Sequence, residues 1–166
     1  MLNSLKEEIF FSEKLKIRKK YTNTELKLYQ YFYEKTKRIY PENVIVINNF
    51  IFFFVGNEYY FKVKLFLHSL RKELNKKVLI IRAENTLINL LFGFFPDIYI
   101  HDVKLKIDED TGLKCVLVYF LSFEERAIAV GCNGEYIKAV NYIFDNYVIF
   151  KNHDHSLKIK CELICS

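Results

Sequence analysis

Little in this sequence bends or crosslinks the chain: among 166 residues there are five glycines, two prolines and four cysteines. So little Gly and Pro leaves no low-complexity linker, and each glycine marks a place where the backbone itself makes a demand. Cys115, Cys132, Cys161 and Cys165 are few and unevenly spaced. They do not compose a disulfide framework, so a reducing compartment is expected, the cytoplasm in the simplest case. No uninterrupted apolar run approaches the roughly 20 residues that span a bilayer. The greasiest stretches, 44–55 and 87–95, read as core elements, so no membrane partner is expected. The start of the chain lacks the basic, apolar and small-residue sections of a secretory signal. Also missing are a phosphate loop ending in Gly-Lys-Ser/Thr, a His-Glu-x-x-His helix and a Gly-x-Ser-x-Gly elbow. The chain therefore reads as a non-enzyme that needs no cofactor.

A hydrophobic fraction of 51% supplies real cores, and 27% charged residues keep the surface wet. The length suits one or two small domains. The net charge of +5 is uneven: residues 1–40 carry 10 Lys/Arg against 5 Asp/Glu, and residues 101–166 carry 8 against 10. The strongest basic block is Lys14, Lys16, Arg18, Lys19 and Lys20, which suits phosphate attraction or a plain solvated arm. Phe, Tyr, Ile, Asn and Lys are abundant and have AT-rich codons. That points to an AT-rich genome such as an organelle's, in which case the compartment is a plastid stroma.

The periodicity repeats itself along the chain. Thr24 is placed to cap a helix over Glu25–Arg38, with Leu26, Tyr29, Phe32 and Tyr33 on one face and Pro41 beyond its end. Asn43–Ile47 and Phe50–Val55 read as strands joined at Asn48-Asn49, since Asn tolerates positive φ. A helix over Asn57–Leu74 and a buried strand over Lys77–Arg82 follow. The order then recurs. Asn85 or Thr86 caps a helix closed by Pro96. Strands at Val103–Ile107 and Lys114–Leu121 flank the turn Asp108-Glu109-Asp110-Thr111-Gly112. Ser122 and Glu125 form a capping box, and a short helix runs to Gly131. A second helix follows from Glu135, with Ile137, Val140, Ile143 and Phe144 inward, and a last strand lies near Leu157–Leu163. This is an internal repeat of α/β (α+β) type, two domains each with a small three-stranded sheet packed on helices.

One motif carries chemistry. Val130-Gly131-Cys132-Asn133-Gly134-Glu135-Tyr136-Ile137 places Gly-x-x-Gly between two helices. Glycines let the backbone turn sharply and approach a phosphate, and the helix opening at Glu135 favours an anion. Ile128, Val130 and Ile137 offer an apolar groove beside it, and Lys138 a nearby cation. This pattern resembles the signature of KH domains, whose loop clamps four nucleotides of a single strand. Strands before the loop and one after it correspond to the type II arrangement.

Two fused type II KH domains with little else resemble the compact NusA-like transcription factors. The match runs over residues 22–150, carried by Glu25–Arg38, by Lys76-Lys77-Val78-Leu79-Ile80, by Asn85–Phe92 and by the loop Gly131–Gly134. The charge count sets off a basic segment over 1–21, and the repeat places a first domain over 22–84 and a second over 85–166. The resemblance implies single-stranded RNA, a nascent transcript or ribosomal RNA, as ligand, with RNA polymerase or the ribosome as protein partner, and a role in elongation, termination or antitermination.

The sequence departs from that pattern in two ways. The first domain's clamp should fall at Phe61-Lys62-Val63-Lys64, where neither glycine is present, and one continuous helix is expected there. In the second domain Cys132 and Asn133 stand where KH loops usually carry Lys or Arg. The alternative is therefore a ribosome-associated or protein-interaction scaffold with decayed clamps. Zinc ligation by His153, His155, Cys161 and Cys165 matches no common spacing. Cys132 as a redox thiol is outweighed by a loop filler, and aromatic stacking by Tyr29–Tyr33 or Phe50–Phe54 by core packing.

Overall fold

In the computed structural model, which describes residues 5–164, the elements run α1 (Leu5–Phe11), β1 (Leu15–Ile17), α2 (Asn23–Lys35), β2 (Asn43–Ile47), β3 (Phe50–Val55), α3 (Tyr60–Lys64), α4 (Leu67–Leu74), β4 (Lys77–Arg82), α5 (Leu87–Gly93), β5 (Asp102–Ile107), β6 (Lys114–Phe120), α6 (Phe123–Val130), α7 (Glu135–Asn146), β7 (Val148–Phe150) and β8 (Leu157–Leu163). They fall into two compact units. One is residues 17–84. The other joins residues up to Lys16 with those from Asn85 onward. Among the described residues no helix is long and apolar enough to cross a membrane.

In the first unit, β2 and β3 form an antiparallel hairpin and β3 runs parallel to β4. Asn48 makes the tight turn at φ 52°, as its tolerance of the left-handed region allows. Alternation puts Ile51 and Phe53 of β3 beside Val78 and Ile80 of β4, and this face packs on Phe32, Val63 and Leu70 of the helices. The other face, with Ile45, Phe52, Phe54 and Ile81, is also buried. A strand buried on both faces reads as one apolar run, as Phe50–Val55 does.

Four expectations change here. The leading helix starts after Thr22, two residues before the expected cap, and the Thr22 hydroxyl donates to the Glu25 carboxylate. Leu26, expected inside, is exposed, while Glu25 is buried. The helix stops at Lys35, because the Thr36 hydroxyl donates to the carbonyls of Phe32 and Ile39 and the next two residues take positive φ. The expected continuous helix over 57–74 is divided at Leu65-Phe66. There the Phe66 N–H bonds to the Val63 carbonyl at 2.9 Å, a tighter three-residue turn. The apolar spacing Tyr60, Val63, Leu67, Leu70 suits a straight helix and a jointed one equally, so periodicity does not reveal the joint.

The second unit repeats the order: helix α5, antiparallel β5 and β6, helices α6 and α7, then β8 parallel to β6. Both units thus have the helix-strand-strand-helix-helix-strand order, a mixed α+β arrangement in which the middle strand of each three-stranded sheet pairs antiparallel on one side and parallel on the other. Thr86 caps α5 by accepting the Asn89 N–H. The β5–β6 turn closes on Gly112 at φ 72°, with Asp108 accepting from the Asp110 and Thr111 N–H groups. Val116, Val118 and Phe120 of β6 and Ile159 of β8 make the buried face against Ala139, Val140, Ile143 and Phe144.

The front of the chain is not the separate basic segment expected over 1–21. Phe10, Phe11 and Leu15 are buried. The Leu15 N–H bonds to the Asn85 carbonyl, the Leu87 N–H to the Glu13 carbonyl, and the Lys151 N–H to the Lys14 carbonyl. β1 pairs with β7, a short sheet that the sequence pattern did not announce. Residues up to Lys16 therefore group with the second domain, and the first begins at Ile17 rather than at 22. The apolar residues Phe10, Phe11 and Leu15 need a core, and the basic side chains between and after them stay outside.

Candidate nucleic-acid interface

The loop between α6 and α7 is built from both ends. Upstream, the Ser122 hydroxyl accepts the Glu125 N–H at 3.1 Å, the expected capping bond, and donates to Glu125 Oε1, while Glu125 Oε2 accepts the Tyr99 N–H. α6 ends where the Gly131 N–H reaches the Ala127 carbonyl. Gly131 then takes φ 82°, ψ 170°, a conformation that in practice belongs to glycine. A Cβ there would also lie 2.7 Å from the Tyr136 Cβ and 2.9 Å from its backbone N. The loop thus folds directly against the first turn of α7. Asn133 and Gly134 follow in the left-handed region, at φ 55° and 71°, and the Gly134 N–H bonds back to the Gly131 carbonyl.

This geometry buries the loop's base and leaves its tip outside. Cys132 and Asn133 are exposed, Gly131 and Gly134 half-buried. Val130 and Ile137 flank the loop half-buried, and Ile128 on α6 is 64% exposed. The exposed Lys138 runs beside the loop, its Cε 3.8 Å from where a Gly134 Cβ would be. It supplies the cation that the loop positions themselves lack. Glu124 and Glu135 are exposed nearby in sequence, so the field at the loop is weak.

Tyr136 was missed by sequence reasoning, which expected Ile137 to point inward. Tyr136 is 8% exposed, its hydroxyl donates to the Phe94 carbonyl, and its ring meets Phe95 edge-on at 6.1 Å. Burial keeps its phenol protonated far beyond the usual range. The only signal was a large aromatic two residues after the loop, which looks the same whether it anchors a loop or faces solvent.

The first domain has no counterpart. Leu65 and Phe66 remain in the right-handed region, and no residue between Asn49 and Leu74 takes positive φ. The joint therefore turns without opening a backbone concavity, and in place of a clamp it presents Phe61 at 69% and Leu65 at 83% exposure. Arg82 lies over the Phe61 ring at 5.1 Å.

The basic block is divided. Lys14 and Lys16 belong to the unit holding the loop, while Arg18, Lys19 and Lys20 belong to the other, and all five are exposed. Among the described residues no cluster of His, Cys, Asp or Glu is arranged to hold a metal ion, and Cys165 lies outside them. His155 is engaged otherwise. Lys114 Nζ donates to its Nδ1 at 2.6 Å, so Nε2 carries the hydrogen given to Glu13 at 2.5 Å. Cys161 is buried, which pushes its thiol up to about 12.

No protein-family model matches the chain, and no curated protein matches it by sequence. Among solved structures it is similar to the crystal structure of APE1850, at 19% identity and a TM-score of 0.59, over 84% of this chain and all of that one. That likeness concerns the fold alone.

Proposed function

We propose that this chain binds single-stranded RNA through the Gly131–Gly134 loop of its second domain, as a NusA-like factor acting on nascent or ribosomal RNA during transcription. One observation carries the reading. Gly131 is held in a glycine-only conformation with no space for a Cβ, and the exposed loop tip is thereby fixed at the start of α7. A backbone so arranged suits close approach of a phosphate, and Val130, Ile137 and Lys138 give the neighbouring strand an apolar wall and one cation. RNA polymerase or the ribosome is then the protein partner, and the cytoplasm or a plastid stroma the place.

Gel shifts at two salt concentrations test this. A single-stranded RNA should bind more tightly than a blunt duplex of equal length. Replacing Cys132→Asp together with Asn133→Asp should weaken binding by about 1–2 kcal/mol without unfolding the domain, because both side chains are exposed. Equal affinity for the duplex, or an unchanged affinity of the folded variant, would remove the loop from consideration. The exposed Phe61 and Leu65 at the first domain's joint favour a second reading, a protein-contacting scaffold, which predicts no RNA binding at all.

A further inference from the structure

The two three-stranded sheets differ in one respect. That of the first domain is buried on both faces, whereas that of the second has one buried face and one open. Strand alternation decides what the open face carries. Val103, Val116, Val118, Ile159 and Cys161 point to the core. The residues between them point outward in register. Lys104 pairs with Leu117 and Leu117 with Lys160, and Lys106 pairs with Cys115 and Cys115 with Lys158. Two adjacent rungs thus hold four lysines at their ends and no acid. Lys106, Lys158 and Lys160 are exposed, while Lys104 rests with its Nζ 5.6 Å from the centre of the Tyr119 ring. Between the rungs and the β5–β6 turn lies a depression of about 470 Å³ lined by Lys106, Asp108, Leu113, Cys115, Lys158 and Lys160.

From strand spacing, the four stems root on a rectangle of about 7 by 10 Å. One carboxylate stands at its side, that of Glu7, which accepts the Leu105 N–H on the β5 edge at 3.2 Å, and the others stand at its ends. Asp102 and Glu162 share the rung of Tyr119, and Asp108 already accepts two N–H groups of its own turn. Residues 101–166 are net acidic but contain seven lysines, four of which lie on this one face. That segregation matters more than the total, because a polyanion feels the local field.

We infer that the open face of the second domain's sheet is a second RNA contact, a sequence-independent seat for the phosphodiester backbone beyond the nucleotides held at the Gly131–Gly134 loop. The inference rests on the RNA reading above and extends it to a separate surface. Ammonium groups act as point charges without the planar fork that reads a particular group, which suits tracking phosphates. The half-buried Leu117, Cys115 and Tyr119 along the middle offer riboses and bases an apolar floor. The loop, with Lys138 as its neighbouring cation, gains from this face the charge it lacks.

Two exposed or half-exposed thiols report on the two surfaces separately, Cys132 in the loop and Cys115 on the sheet. The test uses the full chain and oligouridylate RNA of two lengths, about four nucleotides, the span of a KH clamp, and about 16. Fluorescence anisotropy over a salt series compares the native protein with Lys158→Gln/Lys160→Gln and with Cys132→Asp/Asn133→Asp, each checked for fold by circular dichroism. The lysine variant should leave the short oligomer's affinity unchanged, weaken the long one about tenfold, and lower its log–log salt slope by about 1.4, at roughly 0.7 per lost contact. Alkylation of Cys115, read peptide by peptide, should slow with the long oligomer only, and that of Cys132 with both. If the folded lysine variant keeps the long oligomer's affinity and slope while the loop variant loses binding, the sheet face is no RNA seat and the loop reading stands. If the native protein binds neither oligomer, both readings fall together. If polyglutamate protects Cys115 as well as RNA of equal charge does, the face belongs to an acidic protein partner, and the RNA assignment is overturned.

Discussion

The two loop glycines are not equivalent. Gly131 lies at φ 82° with Tyr136 against the position of its missing Cβ, whereas Gly134, at φ 71°, meets only the Lys138 stem at 3.8 Å. Gly131→Ala must therefore move α7 or unfold the loop, and should cost about 3 kcal/mol in thermal or urea melts. Gly134→Ala meets only the left-handed penalty of about 1 kcal/mol. Equal losses would mean that the packing of Tyr136 against Gly131 does not fix the loop. In sequence the two glycines are the same letter, and Gly-x-x-Gly was legible. Which glycine is sterically required was not, since that depends on a residue five positions along a helix whose orientation the core decides.

At the scale of elements, Tyr136 adds a polar tie between α7 and α5 to the ring contact of Phe144 with Phe94. The Tyr136 hydroxyl donates to the Phe94 carbonyl at the end of α5, inside the core. Tyr136→Phe removes that hydrogen bond from the core, and should cost about 1–2 kcal/mol in chemical denaturation. RNA affinity should fall less than in Gly131→Ala, because the ring still packs. An unchanged midpoint would show the carbonyl satisfied by water. Cys161 on β8 and Tyr136 are both acids whose neutral forms burial favours. Their folded pKa values are raised above the unfolded ones, so the unfolded chain releases these protons first as pH rises. Stability should be full below about pH 8.5 and decline above it towards alkaline pH. Melting temperatures at pH steps from about 7 to 11 check this, and Cys161→Ala should flatten the first part of the decline. In the first domain, the absence of a Gly-x-x-Gly loop was legible at Phe61–Lys64. The joint at Leu65-Phe66 was not, because a three-residue turn and a helical turn keep the same apolar face.

At the scale of the whole molecule, the front of the chain belongs to its back. Beyond the backbone bonds of Leu15, Leu87 and Lys151, the Lys114–His155–Glu13 chain joins residue 13 to the segment before β8. The side chains of His155 and Glu13 are only 6% and 9% exposed. His155→Ala takes away the partner of the Glu13 carboxylate and the ring that packs edge-on against Phe10 and Phe150, and should destabilise by about 3 kcal/mol. The same substitution should raise protease cleavage near residues 12–16. If the melt and the cleavage pattern were both unchanged, the front would be held by its apolar residues alone.

The helix-strand-strand-helix-strand order of both halves, the Thr86 and Ser122 caps, the turns at Asn48 and Gly112, the last strand and the Gly-x-x-Gly loop were determined by the sequence by itself, because each rests on interactions within a few residues: periodicity, an Asn or Gly at positive φ, a Ser-to-Glu capping pair. Tertiary structure decided the rest. It grouped residues up to Lys16 with the second domain, because Phe10, Phe11 and Leu15 need a core that no neighbour in sequence offers. It selected Tyr136 over Ile137 as the buried residue. It also gathered Lys104, Lys106, Lys158 and Lys160, some 50 residues apart in the chain, onto one face. Strand alternation and the parallel pairing of β6 with β8 place side chains together that a linear charge count disperses.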